Sequence, residues 1–428
     1  LSAALPALFG ACSNPLPAQP PPAETNDQDI IGGFNATDPR LDGTGSLVIT
    51  YPSYYGYYYP PEEFCTAALI TPETVLTAKH CADIIPYAAR YGVTVSYAVG
   101  PNSASPREMV EVVAVETAPG NQGGFVNYGR DVAVVHLDRP ITDAPLVQVG
   151  VLGDEHVGQP FAAIGYGVQD NSYTAGTRRL GKQTLRAREG KVFEIMFGSF
   201  ERFFTWWQTG VIAAQKGVTQ PLPGTASDAG APSDAAPPPD AGVDGGYPGY
   251  PDYNSEAYAR MVYDTTVLEA GYEVVTGGAG GDAQPCYGDS GGPLVNRVNG
   301  QFVSYGVVSG GISSRDSACD MGTVYASFGP ESLAFIEQAK TWVDPCGDMS
   351  STGMCDGEVA RRCTTVNEGR RRVVDFDCSL LGLECNTTSG QVACGGAVLA
   401  PPPPTRPKEQ LPSFRAMADR AFQFGMLK

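Results

Sequence analysis

The chain has 428 residues, with 28 Lys and Arg against 46 Asp and Glu, for a formal net charge of -18. That acidic balance, with no basic stretch interleaved with aromatics, argues against a nucleic-acid partner, and no run of about 18 apolar residues follows the first dozen, which excludes a spanning helix. The length suffices for two cores plus appendages, and 52 Gly with 36 Pro indicate many turns between short strands.

Leu1 to Ala11 are small and apolar and lead into Leu8-Phe9-Gly10-Ala11-Cys12-Ser13. This resembles a bacterial lipoprotein signal in which Cys12 becomes the lipidated N-terminus, with an ordinary secretory signal as the alternative. Nothing charged precedes Leu1, so the basic region and initiator Met of such a signal are missing and the chain reads as truncated or started at an unusual codon. Membrane affinity would come from acyl chains alone. Residues 14–28, rich in Pro, Ala and Gln, read as a tether.

The apolar stretch Ala67-Ala68-Leu69-Ile70 is followed by Leu76-Thr77-Ala78-Lys79-His80-Cys81, which sets one of three histidines beside a cysteine. Tyr91 to Val99 and Val110 to Val115 read as strands. Asp131 opens Asp131-Val132-Ala133-Val134-Val135-His136-Leu137, apolar on both faces as a buried strand should be. An acid leading such a strand is costly unless paired. His136 and His156 have no acid or serine context and read as structural.

Phe193 to Trp207 concentrates aromatics: Phe197, Phe200, Phe203, Phe204, Trp206 and Trp207. Packing on a barrel is the first reading; a flap over substrate is the other. Gln220 to Tyr253 is dominated by Pro, Ala, Gly and Asp and cannot bury enough apolar surface to order itself, so it is expected to be a disordered surface loop. Then comes Gly288-Asp289-Ser290-Gly291-Gly292-Pro293-Leu294. A serine hydroxyl is a weak nucleophile without a base to take its proton and fixed N–H groups to receive charge on the carbonyl oxygen. The flanking glycines permit the sharp turn and close approach that such an arrangement needs. A single helix is expected over Glu331 to Val343, where Leu333, Ile336 and Trp342 can share a face.

The order His80, Asp131, Ser290 with these local motifs resembles the chymotrypsin-like, or trypsin-like, serine peptidase family. The resemblance runs from about Ile30 to Val343 with one interruption. It implies an all-β fold of two antiparallel β-barrels, about 30 to 140 and 141 to 330, with the active site between them and a C-terminal helix. It further implies that Ser290 is the nucleophile, His80 the proton shuttle and Asp131 its orienting acid, with the N–H groups of Gly288 and Ser290 as the oxyanion hole. Ile30-Ile31-Gly32-Gly33 resembles the N-terminus that such zymogens expose on cleavage, whose ammonium pairs with the carboxylate at Asp289. Gly165-Tyr166-Gly167 resembles a Gly-Trp-Gly turn of the family. Val308-Ser309-Gly310-Gly311 resembles the strand that binds substrate backbone, with Ser309 and Gly311 as substrate-binding positions; Gly310 stands where an aromatic is usual and leaves the groove more open. Gln284 falls at the floor of the primary specificity pocket, where a neutral amide argues against strict preference for Lys or Arg. Asp29 precedes Ile30, so a trypsin-like activator is not indicated.

By the same resemblance Cys65 pairs with Cys81 and Cys286 with Cys319. Six further cysteines, Cys346, Cys355, Cys363, Cys378, Cys385 and Cys394, are dense enough for a small module held by three disulfides, with fifteen connectivities open. The zinc alternative is weaker, since the module lacks His and a Cys-x-x-Cys knuckle. Cys12 is left over. Arg370-Arg371-Arg372 within the module reads as solvated surface, and the tail after Ala400 as a Pro-rich linker.

The domain reading is therefore 1–29 signal remnant and tether, 30–343 peptidase, 346–396 cysteine module and 397–428 tail. The functional expectation is a secreted or surface-tethered serine endopeptidase, made as a zymogen, acting on proteins or peptides after cleavage by an unknown protease, with no cofactor or metal and a possible lipid anchor at Cys12. Its rivals are a catalytically silent binding or adhesion protein working through the cysteine module, and an esterase-like acyl hydrolase.

Overall fold

The computed structural model describes residues 33–51, 59–119, 130–168, 174–208, 255–278, 281–312, 319, 321–341, 344–365, 371–387, 390–395 and 413. Cys12, the tether, Ile30, the 220–253 insertion, Trp342, Val343, Arg370 and the tail from 397 apart from Ser413 lie outside the described residues.

After a two-residue strand β1 (Phe34–Asn35), six strands build the first barrel: β2 (Thr44–Thr50), β3 (Glu62–Thr71), β4 (Thr74–Thr77), β5 (Thr94–Val99), β6 (Glu108–Thr117) and β7 (Ala133–Leu137). They close in the order β2-β3-β4-β7-β6-β5. Every residue of β4 and β7 is buried, and β7 is apolar but for His136, as a strand covered on both faces should be. Two short helices, α1 (Lys79–Ala82) and α2 (Ile84–Arg90), fill the connection from β4 to β5. The strand expected from Tyr91 begins at Thr94 instead. Tyr91 caps α2, and Gly92 follows with φ +70, a turn that Gly makes without strain.

The second barrel uses β8 (Gln148–Val149), β9 (Pro160–Gly165), β10 (Arg179–Ala187), β11 (Gly190–Lys191), β12 (Val267–Leu268), β13 (Glu273–Thr276), β14 (Pro293–Val298), β15 (Gln301–Ile312) and β16 (Gly322–Ser327). The ring β9-β10-β13-β16-β15-β14 returns to β9 through antiparallel pairings, with β1 added beside β10 and β8 beside β15. The core of the first barrel extends to Val307, Ala326, Phe328, Ile336 and Ala339, which ties the barrels into one body.

More helix is present than the single closing one expected. Between β11 and β12 lie α3 (Val192–Phe197), α4 (Phe200–Trp206) and α5 (Glu256–Thr265). Phe193, Phe197, Phe200, Phe203 and Trp207 pack against Ala259, Val262 and Tyr263 of α5 and against Val275, Ile312 and Val324 of the second barrel. The aromatic stretch is thus a core and not a flap. The closing helix α6 (Pro330–Ala339) starts with Pro at its first turn, where the missing N–H is harmless, and ends four residues before Val343. Among the described residues no helix is long and apolar enough to cross a membrane.

The C-terminal module has a three-stranded antiparallel sheet, β17 (Met354–Asp356), β18 (Val359–Thr365) and β19 (Arg371–Asp377), and a hairpin, β20 (Glu384–Asn386) with β21 (Ala393–Gly395). Its disulfides join Cys346 to Cys363, Cys355 to Cys385 and Cys378 to Cys394. Among the described residues its hydrophobic cluster has just Ala360, Cys378 and Val392 as buried members, so the module depends on those bridges for stability. The solvated reading of Arg371 and Arg372 does not hold. Both are half-buried, Arg371 pairing with Asp344 and Arg372 with Glu111 of the first barrel.

Candidate active site

The pairing of β4 with β7 explains how residues 51 positions apart meet. Thr77 lies opposite Ala133 in an antiparallel register, so the chain leaving β4 and the chain entering β7 emerge at the same end of the barrel. His80 follows Thr77 by three residues and Asp131 precedes Ala133 by two. Oδ1 of Asp131 accepts the main-chain N–H of His80 at 2.9 Å, and Oδ2 lies 2.8 Å from its Nδ1. The Cys65–Cys81 disulfide ties α1 to β3.

Asp131 is 2 % exposed. Burial by itself would raise its carboxyl pKa, but the charge of His80 and hydrogen bonds from His80 and Ser309 outweigh it and leave the group below the ordinary aspartate value. A carboxylate on Nδ1 obliges that nitrogen to carry the proton, so Nε2 presents a lone pair. Nε2 is buried and has no hydrogen-bond partner among the described residues, and the same is true of Oγ of Ser290.

Ser290 enters from the second barrel, at the turn leading into β14. The turn is fastened on both sides: Thr66 N–H donates to Ser290 O at 2.8 Å, and Gly291 N–H donates to Val308 O at 2.8 Å. At Gly291, φ is +79, and a Cβ there would stand 2.0 Å from Oγ1 of Thr77 and 2.9 Å from the nitrogen of Ala78. The glycine is therefore what lets the serine turn lie against the end of β4, three residues from His80. Gly288 has φ +93, and a Cβ on it would meet the buried carboxylate of Glu63 at 2.7 Å. Among the described residues, the N–H groups of Gly288 and Ser290 donate to no main-chain carbonyl.

Asp289 points away from the serine into the barrel. Its Oδ1 accepts the N–H of Gly167 and its Oδ2 the N–H of Cys286, each at 2.8 Å. Cβ atoms on Gly165 and Gly167 would come within 2.0 Å of Oδ1 and 2.6 Å of the nitrogen of Asp289, so the Gly-Tyr-Gly turn is shaped by this carboxylate. Between the two glycines Tyr166 is buried, its hydroxyl 2.5 Å from Gly100 O and 3.0 Å from Thr44 O of the first barrel. Burial pushes that phenol well above its usual pKa. The partner expected for Asp289, Ile30, lies outside the described residues.

Gln284 is buried. Thr323 Oγ1 lies 3.4 Å from Gln284 Oε1 and accepts from Nε2 of Gln183 at 3.1 Å, while Thr276 donates to Oε1 of Gln183 at 2.6 Å. Thr323 sits opposite Gly311 across the β15–β16 pair. Sequence reasoning did not single out Gln183, Thr276, Thr323 or Glu63; the signal available was a polar residue inside each strand. Ser309, expected on the strand that pairs with substrate backbone, also donates from its hydroxyl to Asp131 at 2.6 Å, a contact of its side chain and not of its main-chain groups. The Cys286–Cys319 disulfide braces the same region.

One cluster has the composition of a metal site. Cys65, His80 and Cys81 bring ligand atoms within 4.8 Å of one another, but both sulfurs are joined in a disulfide and neither is a thiolate.

The arrangement sets an imidazole held at Nδ1 by a carboxylate in the first barrel and a serine turn fastened against the end of β4 from the second, the two parts that proton transfer from a serine to a histidine requires. A search of the curated proteins found no match. A family model described as Trypsin matches residues 30–194 and 244–329, more than half of the chain. The match skips α4 and most of the Pro-, Ala-, Gly- and Asp-rich stretch and resumes before α5, so with its two closed barrels this chain belongs to the trypsin family.

Proposed function

We propose that the protein is a serine endopeptidase that cuts peptide bonds through an acyl-enzyme, with Ser290, His80 and Asp131 as its catalytic residues. The observation that carries this reading is the state of His80: Nδ1 engaged by the buried carboxylate of Asp131, and Nε2 left without a partner among the described residues. Oγ of Ser290 attacks the scissile carbonyl carbon while Nε2 takes its proton. Charge gathers on the carbonyl oxygen, which the N–H groups of Gly288 and Ser290 receive. The tetrahedral species collapses as His80 returns the proton to the leaving amine. Water then attacks the acyl-enzyme with His80 again as base, releasing the acid and restoring Ser290. Throughout, Asp131 stays ionised and stabilises the imidazolium.

Cleavage before Ile30 would free an ammonium for Asp289, and removal of either member of such a buried pair costs about 3 to 5 kcal/mol, which makes it an effective activation switch. All five disulfides lie at or beyond Cys65, so the same cut would separate the peptidase from an anchor at Cys12. An oxidising, extracytoplasmic setting follows from ten paired cysteines. Gln284, held in a chain of neutral hydrogen bonds, favours uncharged side chains before the scissile bond over Lys or Arg. The test is turnover of a peptide library by protein beginning at Ile30, with Ser290→Ala and His80→Ala as controls. Peptide cleavage lost in both variants supports the reading; cleavage of esters but of no peptide overturns it in favour of an acyl hydrolase.

A further inference from the structure

The helix that carries His80 is a single turn of four residues. One helical turn does not hold itself together in water, so the pose of His80 depends on what α1 packs against. On one side are Asp131 and the Cys65–Cys81 bridge. On the other is α2, which shares Asp83 with α1 as the closing cap of one and the opening cap of the next, the Asp83 N–H donating to Lys79 O at 2.8 Å. Ile84, Ile85 and Ala88 of α2 face the barrel core.

The cysteine module packs onto this helix pair. Strand β19 lies against both α2 and β6. Two adjacent arginines fix it in place. Arg371 reaches back to the module's entry, donating to Asp344 Oδ2 at 2.6 Å and to Gly347 O at 2.9 Å. Arg372 reaches forward to Glu111 of β6, each side chain less than a third exposed. The C-terminal end of β6 is also tied to the site: Lys79 Nζ donates to Ala118 O at 3.1 Å, and Ala118 N–H donates to Val132 O at 2.9 Å, so residues next to His80 and next to Asp131 meet at one point. Three disulfides cross-link the module that carries β19.

We propose that the six-cysteine module is a brace on the helix of the catalytic base, in which β19 on α2 and Arg372 on Glu111 hold α1 in register with Asp131, making Arg372 and Glu111 positioning residues for His80. Its catalytic consequence rests on the peptidase reading above, while its mechanical content does not. The module is then an integral part of the enzyme and not an appendage that only localises it.

The test compares wild type, Arg372→Glu, Glu111→Arg and the doubly reversed protein, all activated to begin at Ile30 with the module intact, by hydrogen–deuterium exchange and by steady-state kinetics. In Arg372→Glu, amides over 79–90 are expected to exchange about tenfold faster, with strands β13 and β16 unchanged. The accompanying fall in kcat is roughly 10- to 100-fold, as for a misplaced catalytic group, with KM within about twofold of wild type. The double reversal restores both. Wild-type exchange over 79–90 in Arg372→Glu would overturn the brace whatever the activity, and so would loosening that spreads through the second barrel and is not restored by the double reversal. Local loosening with unchanged kcat would overturn the positioning role. If wild type itself turns over no peptide while exchange at 79–90 still depends on Arg372, the brace stands and the peptidase reading fails.

Discussion

The hydroxyl of Ser309 donates to Oδ2 of Asp131 at 2.6 Å, the same oxygen that faces Nδ1 of His80. Ser309 belongs to β15 of the second barrel, whereas Asp131 and His80 belong to the first. Asp131 is thus held from both halves of the molecule, and the bond helps to keep it ionised. Ser309→Ala removes one charge-assisted hydrogen bond of about 1.5 to 3 kcal/mol, so kcat should fall by roughly one to two orders of magnitude with KM little changed. Steady-state kinetics on one peptide substrate checks this.

Asp131 also predicts a pH dependence of stability. Its folded pKa is depressed below the ordinary aspartate value of about 3.9. The sign follows: the unfolded state binds the proton more readily, so the stabilisation is present above that ordinary value and is lost as pH falls through the folded value. In a Ser290→Ala background, which prevents self-digestion, urea midpoints of the Asp131 protein and of Asp131→Asn should differ by a constant amount at neutral pH and converge below about pH 4. In the active background Asp131→Asn should lower kcat by about four orders of magnitude, because Nδ1 no longer faces a carboxylate that fixes the tautomer.

Arg178 is a buried cation that joins the segment after β1 to both barrels. Its guanidinium donates to Ala36 O at 2.9 Å, to Asp38 O at 3.1 Å and to Oδ1 of Asp42 at 2.8 Å. Asp42 is itself buried and keeps a second contact with Arg107 at 3.3 Å. Arg178→Met leaves Asp42 with that weaker partner alone and should destabilise by about 3 to 5 kcal/mol. Denaturant unfolding in the Ser290→Ala background measures it, and Arg178→Met/Asp42→Leu should recover much of the loss.

The aromatic core between α3, α4 and α5 makes a different demand. Phe203 is fully buried, with Phe193 at 4.6 Å and Tyr263 at 5.3 Å between ring centroids. Phe203→Ala should cost about 3 to 5 kcal/mol through lost transfer energy and an unfilled cavity. Were these rings a flap over substrate, KM would change and stability would not; thermal unfolding alongside KM for one peptide distinguishes the two.

Much of the site was legible in the sequence because its chemistry demands particular residue types at adjacent positions. Glycines around Ser290, a histidine beside a bridging cysteine and an acid leading an all-apolar strand are local requirements, and the structure brings His80, Asp131 and the Ser290 turn together at the junction of the barrels. What escaped was non-local. The side-chain direction of Ser309 depends on a break in register between Val308 and Gly310 of β15, which no local pattern announces. The helix α5 escaped because it follows a stretch of Pro, Gly and Asp, and its apolar face, Ala259, Val262 and Tyr263, gains meaning only opposite the aromatics of 193–207, distant in sequence. Arg371 and Arg372 read as a solvated run, since their partners Asp344 and Glu111 are distant in sequence. Connectivity among the six late cysteines was likewise decided by how the β18–β19 hairpin and the β20–β21 hairpin stack, a tertiary matter.

The most direct test of the central claim is intact mass after treating exported protein, activated to begin at Ile30, with a fluorophosphonate probe. The account predicts one adduct per molecule, absent in Ser290→Ala. A folded, fully disulfide-bonded protein beginning at Ile30 that takes up no probe would contradict it and favour a silent peptidase scaffold used for binding.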